Sequence, residues 1–288
     1  MSSIKNYLSL IKFNHTIFAL PFALIGYFLG LQASFKHFNI VLFMLVLFCM
    51  VFARTAAMAF NRYIDRDIDI KNIRTATREI PAGIITPKSA LFFIILNSLL
   101  FVITTYFVNT ICFYLSPIAL LVILGYSYTK RFTHFSHIIL GFGLSLAPIG
   151  AYLAVTGLFN IIPILLSLTV LFWVSGFDII YALQDTEFDS KEKLHSIPVL
   201  LGKKYALVFS GVLHIICALF IIGLGIYKDF EIFYWFGACI FIGLLIYQHS
   251  LVKYTDLKDV NLAFATTNCM ASIVFAIFTL CDLWIFGS

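Results

Sequence analysis

The chain reads as an all-α polytopic membrane protein, a single domain over residues 1–288 with nine transmembrane helices. Two observations carry this reading. Apolar residues make up 61% of the chain and charged residues 11%, where a soluble domain carries about a quarter charged. The apolar residues also fall in windows long enough to cross a bilayer, which takes about 20 residues of helix.

The windows follow in order. The first, 13–33, has the length of a span and lacks a small-residue cleavage site, so it reads as a helix and not as a signal peptide. The second, 40–60, runs into the longest polar segment, Asn61 to Lys88. Windows 89–108 and 111–129 are separated by a very short turn, and Pro117 interrupts the latter. Windows 136–155 and 161–182 come next, followed by the polar segment Gln184 to Lys204. Windows 205–226, 232–250 and 262–284 complete the bundle. Each polar segment follows the second span of a group of four, which hints at an internal duplication. The six cysteines lie in or near spans without metal-ligand spacing and read as small apolar fillers.

The basic residues orient the bundle. Those of the two polar segments, with Lys5, Lys12, Lys130, Arg131, Lys253 and Lys258, fall on one side of nine spans; Lys36 and Lys228 fall on the other. The basic side is expected to be cytoplasmic. The net charge of +5 then reflects topology and phosphate binding, since no extended basic segment with interleaved aromatics points to nucleic acid.

Two acidic clusters stand out, because a carboxylate beside the bilayer is costly. Asn61-Arg62-Tyr63-Ile64-Asp65-Arg66-Asp67-Ile68-Asp69 follows the second span, and Asp178 to Asp189 covers the end of the sixth. At helical spacing Asn61, Asp65 and Asp69 share a face, and so do Asp178, Tyr181, Asp185 and Asp189. Hard oxygen ligands of this kind suit Mg²⁺ carrying a substrate diphosphate. Both clusters sit at helix C-termini, where the dipole favours cations, so a diphosphate needs cations from the loops. Arg74, Arg78 and Lys130 stand near hydroxyl donors that can share its oxygens, and Arg131 follows Lys130. Asp67 and Arg66 point away from the Asn61 face and read as surface charge.

Arg54 lies two turns deeper than Asn61 on the same face. Its guanidinium is shaped for a carboxylate, either of a substrate or of Asp178. For Asp178 itself, metal contact, contact with an aromatic substrate, a hydrogen bond to Tyr181 and a pair with Arg54 all stand open. His15 and His195 read as structural hydrogen-bonders.

These residues resemble a known family. Asn61-Arg62-x-x-Asp65-x-x-x-Asp69, followed by Arg74-Thr75-x-x-Arg78-x-x-Pro81-x-Gly83, is similar to the first motif of the UbiA superfamily of intramembrane prenyltransferases. Asp178-x-x-Tyr181-Ala182-x-Gln184-Asp185-x-x-x-Asp189 resembles the second, and Tyr126-x-Tyr128-Thr129-Lys130-Arg131 the basic motif between them. The segments His15 to Ala23 and Leu194 to Pro198 look like the 4-hydroxybenzoate polyprenyltransferase branch; the stretches Ala53 to Arg62 and Arg74 to Gly83 look closer to menaquinone-pathway members of the futalosine type.

The resemblance implies nine helices around a central cavity, capped by two cytoplasmic motif loops, in a bacterial cytoplasmic membrane. It implies Mg²⁺-dependent transfer of a polyprenyl group from its diphosphate to an aromatic acid in ubiquinone or menaquinone biosynthesis. The acceptor is 4-hydroxybenzoate-like, with a futalosine-pathway precursor or a naphthoate as the alternatives. Asn61, Asp65 and Asp69 are expected to hold one Mg²⁺ and Asp185 and Asp189 a second. Arg74, Arg78, Tyr126, Lys130 and Arg131 share the diphosphate charge, and Arg54 holds the acceptor carboxylate. Asp178 and Tyr181 complete the expected site, with lipid as the surrounding partner and no obligate protein partner. A cation transporter is the rival from another class; it accounts for the acidic clusters but not for the basic loops beside them. A non-catalytic binding protein is a third reading, which the intact set of metal ligands opposes.

Reporter fusions after Lys88, Lys130 and Lys204 are expected to report cytoplasm, and one after the last residue the opposite side. A cytoplasmic C-terminus contradicts an odd number of spans.

Overall fold

The computed structural model describes residues 4–11 and 19–286. Eleven helices are named here: α1 (Ile4–Leu10), α2 (Leu20–Ser34), α3 (Ile40–Asp69), α4 (Pro87–Val108), α5 (Thr110–Thr129), α6 (Ser136–Thr156), α7 (Ile161–Ala182), α8 (Thr186–Lys191), α9 (Ile197–Lys228), α10 (Ile232–Leu251) and α11 (Val260–Ile285). Among the described residues eight helices, α3 to α7 and α9 to α11, are long and apolar enough to cross a membrane. The ninth expected span corresponds to α2, a shorter apolar helix of 15 residues. The start of its window and His15 lie outside the described residues.

Local chemistry sets the helix ends. Asn39, Asn109 and Asn160 cap α3, α5 and α7 by accepting backbone N–H groups of the first turn. Thr86 caps α4, whose Pro87 sits where no N–H partner is needed. The expected short turn before α5 is the single residue Asn109, whose amide nitrogen also donates to Leu153 O at 2.8 Å at the end of α6. α5 runs unbroken through Pro117. Proline removes the N–H that would satisfy Phe113 O, and Ser116 Oγ donates to that carbonyl instead at 2.8 Å. Asp282 of α11 is buried and accepts Glu231 N and Tyr234 N, each at 3.0 Å, so a carboxylate from another helix caps α10.

Two differences from the sequence expectation bear on the site. α3 does not stop at residue 60 but continues to Asp69, so the first acidic cluster is helical throughout. α9 begins with a turn at Ile197 and resets at Gly202, whose φ of 74° no other residue type adopts easily.

α2 packs against α6, α7 and α11, and α7 lies between α6 and α9. Their shared core is aromatic: Phe22 meets Trp173, Phe241 and Phe275 with ring centroids 5.2, 6.3 and 5.9 Å apart. Trp173 Nε1 donates to Asn268 Oδ1 at 3.1 Å, which satisfies the indole in this dry interior. Glycines let these helices approach. A Cβ on Gly26 would stand 2.2 Å from Pro148 O, and one on Gly141 2.5 Å from Leu171 O. α3, α4 and α5 form the other flank. Between α3 and α5 on one side and α6 and α7 on the other lies a cavity of about 890 Å³.

Gly26→Ala is expected to destabilise the bundle by about 1–3 kcal/mol, because the obstacle is a backbone carbonyl and not a movable side chain. Gly243→Ala, with nothing within 4 Å of its new methyl, serves as the control and is expected to be neutral or slightly stabilising. Thermal unfolding in detergent measures both.

Candidate active site

The last turns of α3 place Asn61, Asp65 and Asp69 on one face, as their spacing requires. Asn61 Nδ2 donates to Asp65 Oδ2 at 3.2 Å. Asp65 and Asp69 are only 2% and 4% exposed. Buried carboxylates need partners, and each finds a cation. Lys130 Nζ lies 2.7 Å from Asp65 Oδ2. Arg131 Nη2 donates to Ile64 O at 2.7 Å and lies 3.5 Å from Asp65 Oδ1. Arg78 Nη1 bridges both oxygens of Asp69, at 2.7 and 2.8 Å.

The second cluster is met from the loop that follows α3. Arg74 forks onto Asp185, with Nε 3.1 Å from Oδ1 and Nη2 on Oδ2. Its Nη1 donates to Tyr181 Oη at 2.9 Å. Partial burial works against the Arg74 charge, but the hydrogen bonds to Asp185 and Tyr181 outweigh it and hold the guanidinium above its ordinary pKa. Asn72 Nδ2 also donates to Asp185 Oδ1 at 3.2 Å, and Lys71 pairs with Glu192 at 2.6 Å. The two polar segments are thus joined to each other directly. His195 N donates to Lys130 O at 2.7 Å and ties in the loop after α5. Asp189 stands half-buried on α8, within electrostatic reach of Asp185, Lys130 and His137.

Asn61, Arg62, Arg74, Arg78, Tyr126, Asp178 and Tyr181 line one end of the cavity, with Arg54 deeper on α3. Beyond Arg54 the wall is mostly small or apolar, with Ala53, Ala119, Ala147, Gly150 and Ala154, and it ends near Phe159. The site is therefore charged at its mouth and apolar in its depth.

The structure brings the expected residues to one end of the bundle. The expected ligands stay in their two sets, Asn61, Asp65 and Asp69 on α3 and Asp185 and Asp189 after α7, and among the described residues no three His, Cys, Asp or Glu side chains converge to hold an ion. Asp178 has a partner that the sequence reading did not weigh. Its Oδ2 lies 2.7 Å from His137 Nδ1 of α6. Sequence reasoning missed His137 because the partners are 41 residues apart on different helices. It also missed Asn72 as a partner of Asp185. His195 is the structural hydrogen-bonder expected, with His134 Nε2 3.2 Å from its Nδ1.

The sequence model described as the UbiA prenyltransferase family matches residues 19–276. A 4-hydroxybenzoate octaprenyltransferase of Tolumonas auensis is 31% identical over 227 residues, 77% of this chain and 78% of that protein. One from Francisella tularensis subsp. novicida is 31% identical over 232 residues, 78% of this chain and 79% of its own length. Among solved structures, a UbiA homologue from Aeropyrum pernix K1 superposes with a TM-score of 0.80 at 27% identity, covering 94% of this chain and 97% of that one. A UbiA homologue from Archaeoglobus fulgidus, bound to DMAPP and Mg²⁺, shares the fold with a TM-score of 0.74 at 21% identity, covering 98% of this chain and 100% of that one.

Arg78→Ala leaves the buried Asp69 carboxylate without its cation. The expected loss is about 3 kcal/mol of stability, read as a lower melting temperature in detergent. Millimolar Mg²⁺ is expected to restore part of it by replacing the lost positive charge; an unchanged melting temperature denies the pair any structural weight.

Proposed function

The chain belongs to the UbiA prenyltransferase family, and on that footing we propose that it transfers a polyprenyl group from polyprenyl diphosphate to an aromatic acid of the 4-hydroxybenzoate type. The transfer would serve quinone biosynthesis and use Mg²⁺, with the site facing the cytoplasm. The observation that carries the reading is the interleaving of aspartates and cations at the mouth of an apolar cavity.

The donor set fits the metal. Asn61, Asp65, Asp69, Asp185 and Asp189 are oxygen donors at one end of the bundle, the ligand chemistry that Mg²⁺ takes together with diphosphate oxygens. The side chains now paired with these carboxylates are of the kind that bind phosphate. An incoming diphosphate offers Arg74, Arg78, Lys130 and Arg131 a new anion, and the carboxylates they release become available to metal. The exchange leaves no buried charge uncompensated, which keeps its cost low. Mg²⁺, when bound, supplies positive charge between the carboxylates and the leaving group.

The remaining residues follow from depth. The apolar wall beyond Arg54 accepts an isoprenoid tail and keeps water from the allylic cation that forms as diphosphate departs. Arg54, Tyr126, Asp178 and Tyr181 lie between tail and diphosphate, where the acceptor ring must enter. Arg54 would hold its carboxylate.

Purified protein supplied with Mg²⁺, geranyl diphosphate and a panel of hydroxylated aromatic acids tests the reading directly. Prenylated product is expected, lost on chelation and in Asp65→Asn or Asp185→Asn, with both variants still purifying as folded protein. Turnover unaffected by chelator would falsify the metal requirement.

The depth argument separates the two substrates. Arg54→Ala is expected to raise the acceptor KM by about 30-fold or more, as for truncating one partner of a buried charge pair. Lys130→Ala is expected to raise the KM for the diphosphate instead. A folded Arg54→Ala protein with an unchanged acceptor KM sinks the carboxylate assignment.

A further inference from the structure

We propose that His137 is a positioning residue that aims Asp178 at the ring hydroxyl of the aromatic acceptor; the inference rests on the prenyl-transfer reading above. Asp178 lines the cavity on α7, one turn before Tyr181 and two turns before Asp185, so it stands deeper than the diphosphate-binding mouth. Its side chain is 23% exposed, whereas that of His137 behind it is 6% exposed and does not reach the cavity wall. Asp65, Asp69 and Asp185 meet lysine or arginine, but Asp178 meets an imidazole, His137 Nδ1 lying 2.7 Å from its Oδ2.

The other nitrogen, His137 Nε2, is buried with no hydrogen-bond partner. A buried N–H without an acceptor is costly, and an unpaired imine lone pair less so. The unpartnered Nε2 assigns the bonding proton to Nδ1, from which His137 donates to Asp178. The bond has two consequences. It fixes the Asp178 rotamer, because His137 is itself held among buried side chains. It also occupies Oδ2 and leaves Oδ1 as the second acceptor of a residue that lines the cavity.

What this oxygen calls for is a hydrogen-bond donor. A diphosphate is an anion and is repelled, and an isoprenoid tail has no donor. A phenolic hydroxyl meets the requirement. Its hydrogen bond to a carboxylate pushes electron density into the ring and enriches the carbon beside the oxygen, which forms the C–C bond to the allylic cation and then gives up its proton to the released diphosphate. Arg54 and Asp178 then read opposite ends of one small molecule, carboxylate at the first and hydroxyl at the second, with the ring between them.

The test compares two ligands in an assay driven by geranyl diphosphate and Mg²⁺: 4-hydroxybenzoate as acceptor and benzoate, which lacks the hydroxyl, as competitive inhibitor. The wild-type protein is expected to favour 4-hydroxybenzoate by tenfold or more, as for a hydrogen bond to a charged group. His137→Leu is expected to lose about tenfold of that preference while the KM for geranyl diphosphate stays unchanged. His137→Asn, whose amide N–H can replace the Nδ1 proton, is expected to keep most of it. Should His137→Leu fail to fold, Asp178→Asn decides, since loss of the carboxylate must also erase the hydroxyl preference. A preference retained in His137→Leu or in Asp178→Asn overturns the proposal, as does a His137→Leu protein in which both substrates weaken equally. A wild-type protein that prenylates no hydroxylated aromatic acid overturns the underlying reading instead, and the proposal falls with it.

Discussion

Carboxylates crowded at the ends of α3 and α7 repel one another, and the rest of the site is arranged around cancelling that repulsion. The helices cannot do it, because their C-termini add negative potential of their own. The cations come from the connecting loops: Arg74 and Arg78 from the segment after α3, Lys130 and Arg131 from the end of α5. Each pair also fastens a loop to a helix end, so electrostatic neutrality and the shape of the mouth have one origin. The pairs also hold the two polar segments across one another, as Arg74–Asp185 and Lys71–Glu192 show.

The pairs also bear on the competing readings. A transporter of cations needs its carboxylates near the membrane midplane, open to ions from either side. Here Asp65, Asp69 and Asp185 are held at one end and already neutralised. Charge paired in this way is poised for a ligand that brings both signs at once, which a metal diphosphate does and a lone cation does not.

Much of the fold was legible in the sequence. Apolar windows near 20 residues place most helix ends to within a turn, but α3 ends and α9 begins more than two turns outside theirs. Pro117 looked like an interruption because periodicity carries no record of Ser116 Oγ replacing the lost donor. The continuation of α3 to Asp69 was legible only in the spacing of its acidic residues, since hydropathy falls away at Asn61. The candidate site was legible as a set of residues and not as a set of partners. Asp65 with Lys130, and Asp178 with His137, join positions on separate helices, and no local pattern encodes which helix lies beside which. His137 carries no sequence signal of its own, because a single histidine near the start of a span is consistent with many roles.

The apolar depth of the cavity has an electrical meaning. A pocket that opens at one membrane face and reaches toward the other is a thin place in the insulation, and each elementary charge that slips through dissipates about 2.3 kcal/mol per 100 mV of membrane potential. Water queued along the cavity would conduct protons. The wall beyond Arg54 offers such a queue almost nothing to hold. Its two hydroxyl groups, Thr105 and Ser116, are spent on carbonyls of their own helices, Val102 O and Phe113 O. A greasy lining of this kind would therefore let an energised membrane hold such a cavity without being short-circuited by it.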